Sequence, residues 1–558
     1  MSDRPETTPS PSSAAPGAKG GPSLVRSGAL MASGTMVSRV LGMVRQSMTI
    51  AVVGGVGLAA DAWNAANTLP NLFHLLLAGG VLNAVIVPQI TKASRRPDGE
   101  VFVNRLLTVA MAIMGAATVL LTLAAPLLVW LVVSKGWDDD ARGLAIAFAF
   151  ICLPQMFFYG LYTLLGQVLN AHSRFAAYMW APAVANVVAI AGLAWFLLQG
   201  KRTVTDVGSW DATMIAVLAG SATLSIVVQA LVLIPPLRAI GFRYRPTWGL
   251  RGSGLGSASR MAMWAFGAVA ISQLGFILVT SPVLTGASDA SVQAGAAAAG
   301  LTAYQFAFLI FMLPHSIITV SLVTAIFTRL SGAAQDGDTE SVKADLRSGM
   351  RLPAVVLIPG TAAMVLLSPW VLPALLPGTP TADARAAVGV FVAMAVGLVP
   401  YGWYYLVQRA CYAYEDGKTP FVLQLIVTGV AVAFTLFAAT RPFEHTATWV
   451  GIGQTVSNLA GAALGLHLLR RRLGPLGLAG VVQQNVRLLV AAGVATVLAG
   501  AVVLALTRVA ADGWLTSVAV VGVAGPVLLL VALALAARMR VPEVADVLGP
   551  VLRRVRRS

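Results

Sequence analysis

The sequence predicts an all-α protein that crosses a membrane about fourteen times, and three observations support this class. Hydrophobic residues make up 57% of the 558 residues and charged residues only 11%, whereas soluble domains carry about 25% charged residues. Fourteen apolar runs, each long enough to cross a bilayer, follow one another along the chain. Basic residues concentrate in alternate connections between these runs, as membrane orientation requires. The chain is therefore predicted to be a polytopic membrane protein.

Residues 1–25 are rich in Ser, Pro, Thr and Gly and contain few large apolar side chains, so we expect a disordered cytoplasmic tail. The first apolar run is too long for the core of a signal peptide and should remain as span 1. The fourteen predicted spans lie at about 28–53, 62–91, 104–134, 142–169, 175–198, 212–236, 259–285, 298–329, 352–376, 385–411, 420–439, 447–469, 487–507 and 514–537.

The distribution of Lys and Arg predicts the orientation. An even number of spans places both termini on one side, and with that side in the cytoplasm 29 of the 38 basic residues fall in inner segments. The last inner segment, residues 541–558, ends in a basic run that we interpret as an orienting anchor at anionic lipid. Membrane orientation therefore accounts for the net charge of +16, and nucleic acid is not predicted as a partner.

An internal repeat divides the predicted spans into two lobes. Residues 153–175 align without gaps with residues 399–421 at a shift of 246, and residues 69–93 resemble residues 313–333. The pairs occur in the same order, as spans 2 and 4 and then spans 8 and 10. We therefore predict two six-span lobes of shared orientation, related by an axis along the membrane normal. They are an N-lobe at residues 26–246 and a C-lobe at residues 247–473, with spans 13 and 14 appended at 474–540.

Arg39 and Arg45 lie within the first predicted span. An arginine at mid-bilayer costs about 2.5–3.5 kcal/mol on insertion scales, so two in one span require a reason. We expect a water-filled, positively charged chamber between the lobes. The alternative is that both side chains reach the membrane surface or are neutralised by a buried carboxylate.

Other residues of the same region are candidate contacts of this chamber. Asp61, at the start of span 2, could face Arg45 as a functional carboxylate or could be an interfacial acid without a role. Asn71 and His74, further along span 2, complete the predicted substrate-binding set, although a histidine in a span is more often simply packed there.

Helix-breaking residues mark candidate gating positions. Membrane helices tolerate Pro and Gly where the freed backbone groups meet protein or water, but such residues also produce plain packing kinks. The candidates are Gly42, Pro70, Gly79, Gly80 and Pro314.

The remaining polar motifs indicate no enzyme chemistry. Asp138, Asp139 and Asp140 follow one another in a short outer loop, where a solvated turn is favoured over a metal site. Cys152 and Cys411 both fall in apolar spans, and two cysteines form no metal-ligand spacing. We predict no catalytic residue, metal or cofactor, although transport could be coupled to the membrane potential or to a monovalent cation.

Several segments together carry a resemblance to a known family. The sequence SGTMVSRVLGMVRQ (33–46), the following DAWNAANTLPNLFHLLLAGG, AVIVPQ, and the KTP turn at 418–420 resemble the MurJ (MviN) family. These lipid II flippases belong to the multidrug/oligosaccharidyl-lipid/polysaccharide (MOP) exporter superfamily, and the resemblance covers most of residues 26 to 540. It implies that Arg39 and Arg45 engage the pyrophosphate of the lipid and that spans 13 and 14 form a groove for its polyprenyl tail.

The chain departs from the family pattern at three positions. It carries His74 where members often have a basic residue, Gly79 where they often have an acid, and Leu309 where some have an arginine. Both an orthologue with rearranged charges and a paralogue for another cargo are compatible with these differences.

The predicted function is movement of lipid II, a polyprenyl-pyrophosphate-linked peptidoglycan precursor, across the bacterial cytoplasmic membrane by alternating access. The resemblance also makes membrane lipids and cell-wall synthesis or division proteins candidate partners. A flippase for another polyprenyl-linked oligosaccharide is the alternative. A MATE-like drug exporter fits less well, because it usually has twelve spans and an acid that faces a cationic substrate. A glycosyltransferase or division scaffold would predict soluble domains or external acidic motifs.

The orientation gives a direct test. Single cysteines placed near residues 95, 245, 340 and 472, in a chain without Cys152 and Cys411, should resist a membrane-impermeant thiol reagent in intact cells, because these loops are predicted to be cytoplasmic. Labelling near residue 245 or 340 would rule out the two-lobe arrangement.

Overall fold

The structure, a computed structural model, describes residues 22–77, 99–172, 174–248, 260–375, 381–509 and 513–545, and it contains no β-strand in these ranges. Its helices group into fourteen segments that correspond one to one with the predicted spans, and we keep their numbers. Span 1 is Pro22–Val53, span 2 is Leu58–Leu77, and span 3 consists of Gly99–Leu123 and Ala125–Val132. Span 4 consists of Asp139–Cys152 and Gln155–Ala171, and span 5 is Phe175–Leu198. Span 6 consists of Ala212–Leu231 and Ile234–Ala239. A single 3₁₀ turn, Val207–Ser209, precedes span 6.

The second half of the chain repeats this organisation and adds two helices. Span 7 consists of Arg260–Gly275, Phe276–Thr280 and Ser281–Gln293, and span 8 consists of Leu301–Pro314, His315–Thr319 and Val320–Gln335. Span 9 is Thr339–Leu375, and span 10 consists of Thr381–Ala386, Val388–Val396 and Leu398–Ala413. Span 11 is Lys418–Ala438 and span 12 is Phe443–Leu473. Phe276–Thr280 and His315–Thr319 are π-helical turns inside spans 7 and 8. Spans 13 and 14 are Ala479–Val509 and Trp514–Arg538.

Length and composition agree with a membrane-spanning bundle. Within the described ranges, eleven helices are long and apolar enough to cross a membrane, and a twelfth is formed if the two halves of span 10, bent by 44°, count as one. The other two are Leu58–Leu77, which contains Asp61 and several amides, and Phe443–Leu473, which is rich in Gly and ends in three arginines. Both pack between other helices, so they face protein rather than lipid and need less hydrophobicity.

Packing separates two lobes of six spans. In the N-lobe, span 1 lies along span 5, span 5 along span 6, and span 2 against span 4. In the C-lobe, span 12 contacts spans 10 and 11, and span 7 contacts span 11. Spans 13 and 14 pair with each other and with span 9. Spans 4 and 10 are interrupted at repeat-related places, after Cys152 and after Val396. The predicted fold class is therefore confirmed.

Small residues bring spans 1 and 5 into close contact. Gly34, Ser38 and Gly42 recur every four residues and so share one face of span 1. A Cβ on Gly34 would lie 2.7 Å from the Trp180 ring, and Asn186 Nδ2 donates to the Ser38 carbonyl at 3.0 Å. The helix continues through Gly42, so this glycine serves helix packing here and no break occurs there.

Both predicted terminal segments, residues 1–25 and 541–558, include residues that the structure places in a helix or against the bundle. Span 1 begins at Pro22, inside the segment expected to be disordered; residues 1–21 lie outside the described ranges. After span 14, Glu543 is buried and forms an ion pair with Arg351 of span 9 at 2.8 Å. Arg351 also donates from Nε to Gln484 of span 13 at 2.6 Å. The first residues of the C-terminal segment are thus fixed to the bundle by an ion pair, because a buried carboxylate requires a charged or hydrogen-bonding partner.

Three tryptophans near predicted outer ends of spans are buried. Trp63, Trp137 and Trp210 lie in the protein core rather than at a membrane surface. The rings of Trp63 and Trp210 each pack edge-on against Phe148, with centroids 5.4 Å apart. They stabilise the N-lobe interior because large aromatic side chains bury more apolar area there than at an interface.

The glycines of span 12 provide a test of the helix packing. A Cβ on Gly461 would lie 2.6 Å from Val427 and 3.0 Å from Tyr404, whereas one on Gly493 of span 13 meets no atom within 4 Å. Overpacking costs about 1–3 kcal/mol, so Gly461→Leu should lower the melting temperature of the purified protein. Gly493→Leu is the matched control and should melt at or above the parent value. Equal melting temperatures for both variants would contradict the packing described here.

Candidate functional site

A buried carboxylate joins the two lobes at the end of the bundle that the sequence places outside. Asp61 of span 2 is fully buried and accepts four hydrogen bonds from the C-lobe. Its Oδ2 accepts from the Ser288 hydroxyl at 2.6 Å and from the Leu301 amide at 3.1 Å. Its Oδ1 accepts from the amide and the hydroxyl of Thr302, at 2.7 and 2.6 Å. We call Asp61, Ser288, Leu301 and Thr302 the latch.

The latch exists because span 8 has no N-terminal cap of its own. The residue before it, Gly300, offers no side chain to the free amides of the first turn, and such amides attract a carboxylate through hydrogen bonding and the helix dipole. A Cβ on Gly300 would lie 1.7 Å from the Ser288 hydroxyl and 2.5 Å from Asp61 Oδ2. Only glycine therefore leaves room for a carboxylate from the other lobe.

Further hydrogen bonds extend the contact along spans 2 and 8. Asn64, one turn after Asp61, donates to the Thr302 hydroxyl at 2.9 Å. One turn further, the hydroxyl of Thr68 donates to Gln305 Oε1 at 3.2 Å. The two helices thus meet through polar side chains at successive turns, which fixes their register at this end.

The loop between spans 3 and 4 adds a second contact with the C-lobe. The amide of Ser134 donates to the Thr285 hydroxyl at 2.8 Å, and Trp137 Nε1 donates to the Thr285 carbonyl at 3.1 Å. A Cβ on Gly136 would lie 3.1 Å from an oxygen of Asp289. These contacts join the same two lobes as the latch, so the lobes touch at two separate places at this end of the bundle.

The sequence leaves two alternatives for Asp61, a functional carboxylate that faces Arg45 and an interfacial acid without a role. In the structure both of its oxygens accept hydrogen bonds from the start of span 8. Because the carboxylate is buried and fully hydrogen-bonded, it is inaccessible to a substrate in this conformation. Its position instead joins the two lobes.

Arg45 and His74 come together on a residue that the sequence had not singled out as a site. The His74 ring stacks on Tyr159 of span 4, with centroids 5.5 Å apart. Arg45 lies close enough to Tyr159 for electrostatic interaction. Spans 1, 2 and 4 thus contribute one side chain each to a polar cluster inside the N-lobe. The sequence signal was that Tyr159 pairs with Tyr405 in the internal repeat.

Arg39 and Asn71 occupy different surroundings from this cluster. Both side chains are exposed, while Arg45 and His74 are half-buried. Arg39 and Arg45 are six residues apart and point about 120° apart around the helix. No carboxylate of the described residues lies within 4.0 Å of either guanidinium. Neutralisation by a buried acid, the alternative explanation for these arginines, has no support in this part of the chain.

The candidate gating residues separate into three groups. Pro314 directly precedes the π-helical turn His315–Thr319, where the helix carries an extra residue and two buried polar atoms without a partner among the described residues, on His315 and Thr319. Pro70 lies inside span 2, which continues to Leu77. Gly79 and Gly80 lie outside the described residues.

Cation ligands are sparse in the part of the chain that the structure describes. There, no group of three or more His, Cys, Asp or Glu side chains could hold a metal ion. Asp416, near the KTP turn, accepts from the amide and hydroxyl of Thr419 at 3.0 and 2.7 Å and lies 3.8 Å from Arg472. Asp416 thus accepts hydrogen bonds from the first turn of span 11.

A family model described as "Lipid II flippase MurJ" matches residues 50–525. A probable lipid II flippase MurJ of Rhizobium meliloti (strain 1021) is 26% identical over 451 residues, which are 77% of this chain and 79% of that protein. The lipid II flippase MurJ of Burkholderia cenocepacia is 26% identical over 397 residues, or 69% of this chain and 72% of that protein.

Solved structures agree in fold. A lipid II flippase MurJ in an inward closed conformation superposes with a TM-score of 0.69, at 16% identity, over 91% of this chain and 98% of that structure. An inward-facing MATE multidrug transporter of the MOP superfamily gives a TM-score of 0.62, at 15% identity, over 81% of this chain and 99% of that structure. The family model spans most of the residues that form both lobes and the latch, so this chain belongs to the lipid II flippase MurJ family.

Proposed function

We propose that this protein moves lipid II from the inner to the outer leaflet of the bacterial cytoplasmic membrane by alternating access of its two lobes. The observation that carries the proposal is the pair Arg39 and Arg45, two cations within span 1 without a carboxylate nearby in the described residues. A cation buried in a membrane protein without a counter-charge is costly, and an anionic ligand would offset that cost.

Guanidinium groups suit a pyrophosphate for geometric reasons. Each presents a planar fork of N–H donors that matches two phosphate oxygens, and each remains a cation where solvation is poor. The exposed Arg39 would meet the head group before Arg45. Arg45 would hold it deeper in the N-lobe, beside Tyr159 and His74, whose polar atoms can donate to oxygens of the head group.

The sealed end gives the transport cycle its direction. With both termini in the cytoplasm, as the basic residues predict, the latch closes the chamber toward the outside. A head group entering from the inner leaflet therefore meets the arginines while the outer end is shut. Breakage of the latch would let the lobes part at that end and release the head group outward, with no covalent bond made or broken.

The lipid tail requires an apolar route beside the chamber. Spans 13 and 14 pack on span 9 and expose many large apolar side chains, so we propose that the polyprenyl tail lies along them. Coupling to the membrane potential or to a monovalent cation, and association with cell-wall synthesis or division proteins, complete the proposal.

A second cargo is favoured by one specific difference. Leu309, where some family members carry an arginine, is an exposed leucine in span 8, so the C-lobe offers less charge at that position. A polyprenyl-linked oligosaccharide with a different head group would be compatible with this change. Depletion of the protein in cells, followed by identification of the lipid-linked precursor that accumulates on the inner leaflet, separates the two cargoes.

Substitution of the two arginines tests the binding step. Arg39→Ala and Arg45→Ala should each abolish flipping while abundance stays normal, because loss of a charge within a membrane span eases membrane insertion. Lysine at either position should restore flipping only in part, since the charge is kept and the fork is lost. Arg202→Ala, at an exposed position in the loop between spans 5 and 6, is the control. Normal growth and an unchanged inner-leaflet precursor pool with both alanine variants as sole copies would exclude the mechanism.

Substitution of the latch carboxylate tests the outer gate. In Asp61→Asn the new amide would face the donors of Ser288 and Leu301, and each lost charge-assisted hydrogen bond is worth about 1.5–3 kcal/mol. The population with a sealed outer end should therefore fall at least about tenfold. A Gly136→Cys, Asp289→Cys pair in a chain without Cys152 and Cys411 reports this population through disulfide yield.

The matched control for this measurement is Asp140→Asn, which removes an exposed carboxylate at the same end and should leave the disulfide yield unchanged. An Asp61→Asn protein that forms the disulfide as readily as its parent would show that the latch does not hold the lobes together.

A further inference from the structure

Each lobe places a histidine and an arginine near one of two repeat-related tyrosines. Tyr159 of span 4 and Tyr405 of span 10 are separated by the repeat shift of 246 residues. In the N-lobe, His74 stacks on Tyr159 at 5.5 Å and Arg45 interacts electrostatically with it. The N-lobe set is the polar cluster already described, so its counterpart in the C-lobe is a candidate for a related role.

The C-lobe set is built from spans 8 and 10. The ring of His315, in the π-helical turn of span 8, meets the edge of Tyr405 with centroids 5.4 Å apart. Arg409, one turn after Tyr405, donates from its terminal nitrogen to the Tyr405 hydroxyl at 2.8 Å and lies 4.8 Å from the ring centroid. The ring of Phe327, from span 8, is 5.9 Å from the same guanidinium. The tyrosine and the phenylalanine therefore hold Arg409 between the two spans.

Arg409 forms no ion pair with the described residues. Its side chain is half-buried, and no carboxylate in the described ranges lies within 4.0 Å of it. A single phenol hydroxyl leaves most of the five N–H donors of a guanidinium available. The arrangement thus presents a fixed cation with unused donors, as an anion-binding residue would.

The position of Phe327 places Arg409 beside the space between the lobes. Gln305 of span 8 faces the N-lobe, because it accepts from Thr68. Phe327 follows 22 residues later. Around the helix axis its side chain is about 40–60° away from that of Gln305 once the π-helical turn is included, so both leave span 8 on nearly the same side. The same separation is a rise of about 33 Å, so Phe327 lies at the opposite end of the bundle from the latch.

We infer that Arg409 is the anion-binding residue of the C-lobe at the inner mouth of the chamber, where it receives the pyrophosphate of the transported lipid before Arg39 and Arg45. The inference rests on the proposed function and assigns to the C-lobe a cation that Leu309 does not supply. Tyr405 acts as a positioning residue, because its hydroxyl and ring fix the guanidinium.

The test uses the full chain in phosphatidylcholine nanodiscs, with undecaprenyl pyrophosphate as the titrated probe. Arg409→Ala should weaken binding at least about tenfold, and Arg409→Lys should recover part of the loss because the charge is kept without the fork. Tyr405→Phe should weaken binding about two- to fivefold, because it removes one hydrogen bond to the guanidinium. The melting temperature of each variant reports whether it folds.

Arg441→Ala is the matched control. Arg441 lies 4.0 Å from the ring of Phe437 four residues earlier, as Arg409 lies near Tyr405, but it is exposed in the loop between spans 11 and 12. Its loss should leave binding unchanged. Arg409→Ala with an affinity within twofold of the parent would overturn the inference and assign the arginine to packing at the end of span 10.

A second measurement does not depend on the stability of the alanine variant. In a chain without Cys152 and Cys411, the Arg409→Cys thiol should react with a negatively charged thiol reagent, and undecaprenyl pyrophosphate should protect it. Absence of protection, or equal protection by phosphatidylglycerol, would overturn the assignment to the transported lipid.

The two proposals fail in different ways. If Arg39→Ala and Arg45→Ala abolish binding while Arg409→Ala does not, the flippase mechanism stands and the inference about the C-lobe is wrong. If the unsubstituted protein does not bind the probe, the proposed function itself is wrong.

Discussion

The conformation of this protein depends on one carboxylate that is buried between two lobes. Asp61 belongs to span 2, yet every hydrogen bond it accepts comes from spans 7 and 8. A buried carboxylate is tolerated only when its oxygens are satisfied, and a helix N-terminus supplies amides that its own residues leave free. The N-lobe therefore supplies an acceptor for the free amides of span 8, and the C-lobe supplies the donors that the buried carboxylate of Asp61 requires. Contacts of this kind are bistable, because they are lost together when the lobes separate.

The two arginines of span 1 impose the complementary constraint. A charge within a membrane span carries a cost, and the small face of the same helix packs against span 5 through Gly34 and Ser38. One side of the helix thus anchors it in the N-lobe while the arginines reach outside that contact. The rigid attachment keeps the cations in place when the lobes move, which a ligand carried between two openings requires.

Two helices of the bundle, spans 2 and 12, are not apolar enough to be recognised as membrane spans by hydropathy, and their burial among other helices explains why. Spans 2 and 12 are less apolar than their neighbours because they pack among other helices, span 2 through amides and hydroxyls and span 12 through glycines such as Gly461. In a membrane, close helix contact and interhelical hydrogen bonds replace the hydrophobic effect as the source of association. For this reason the least apolar spans contribute much of the helix–helix contact within and between the lobes.

The sequence by itself determined the number of spans, the repeat and the presence of cations in span 1, because apolar length, a constant shift and intramembrane charge are local properties of the chain. Only the tertiary structure decided the partners of those residues. The sequence offered Arg45, sixteen positions away, as one candidate partner of Asp61, but the carboxylate bonds to residues more than 220 positions away. Trp137 lies near the predicted outer end of a span but donates to the Thr285 carbonyl of the C-lobe, and Tyr159 became a site residue only when the fold placed His74 and Arg45 near it. Hydrogen bonds between distant segments depend on how the lobes meet, and no local pattern records that.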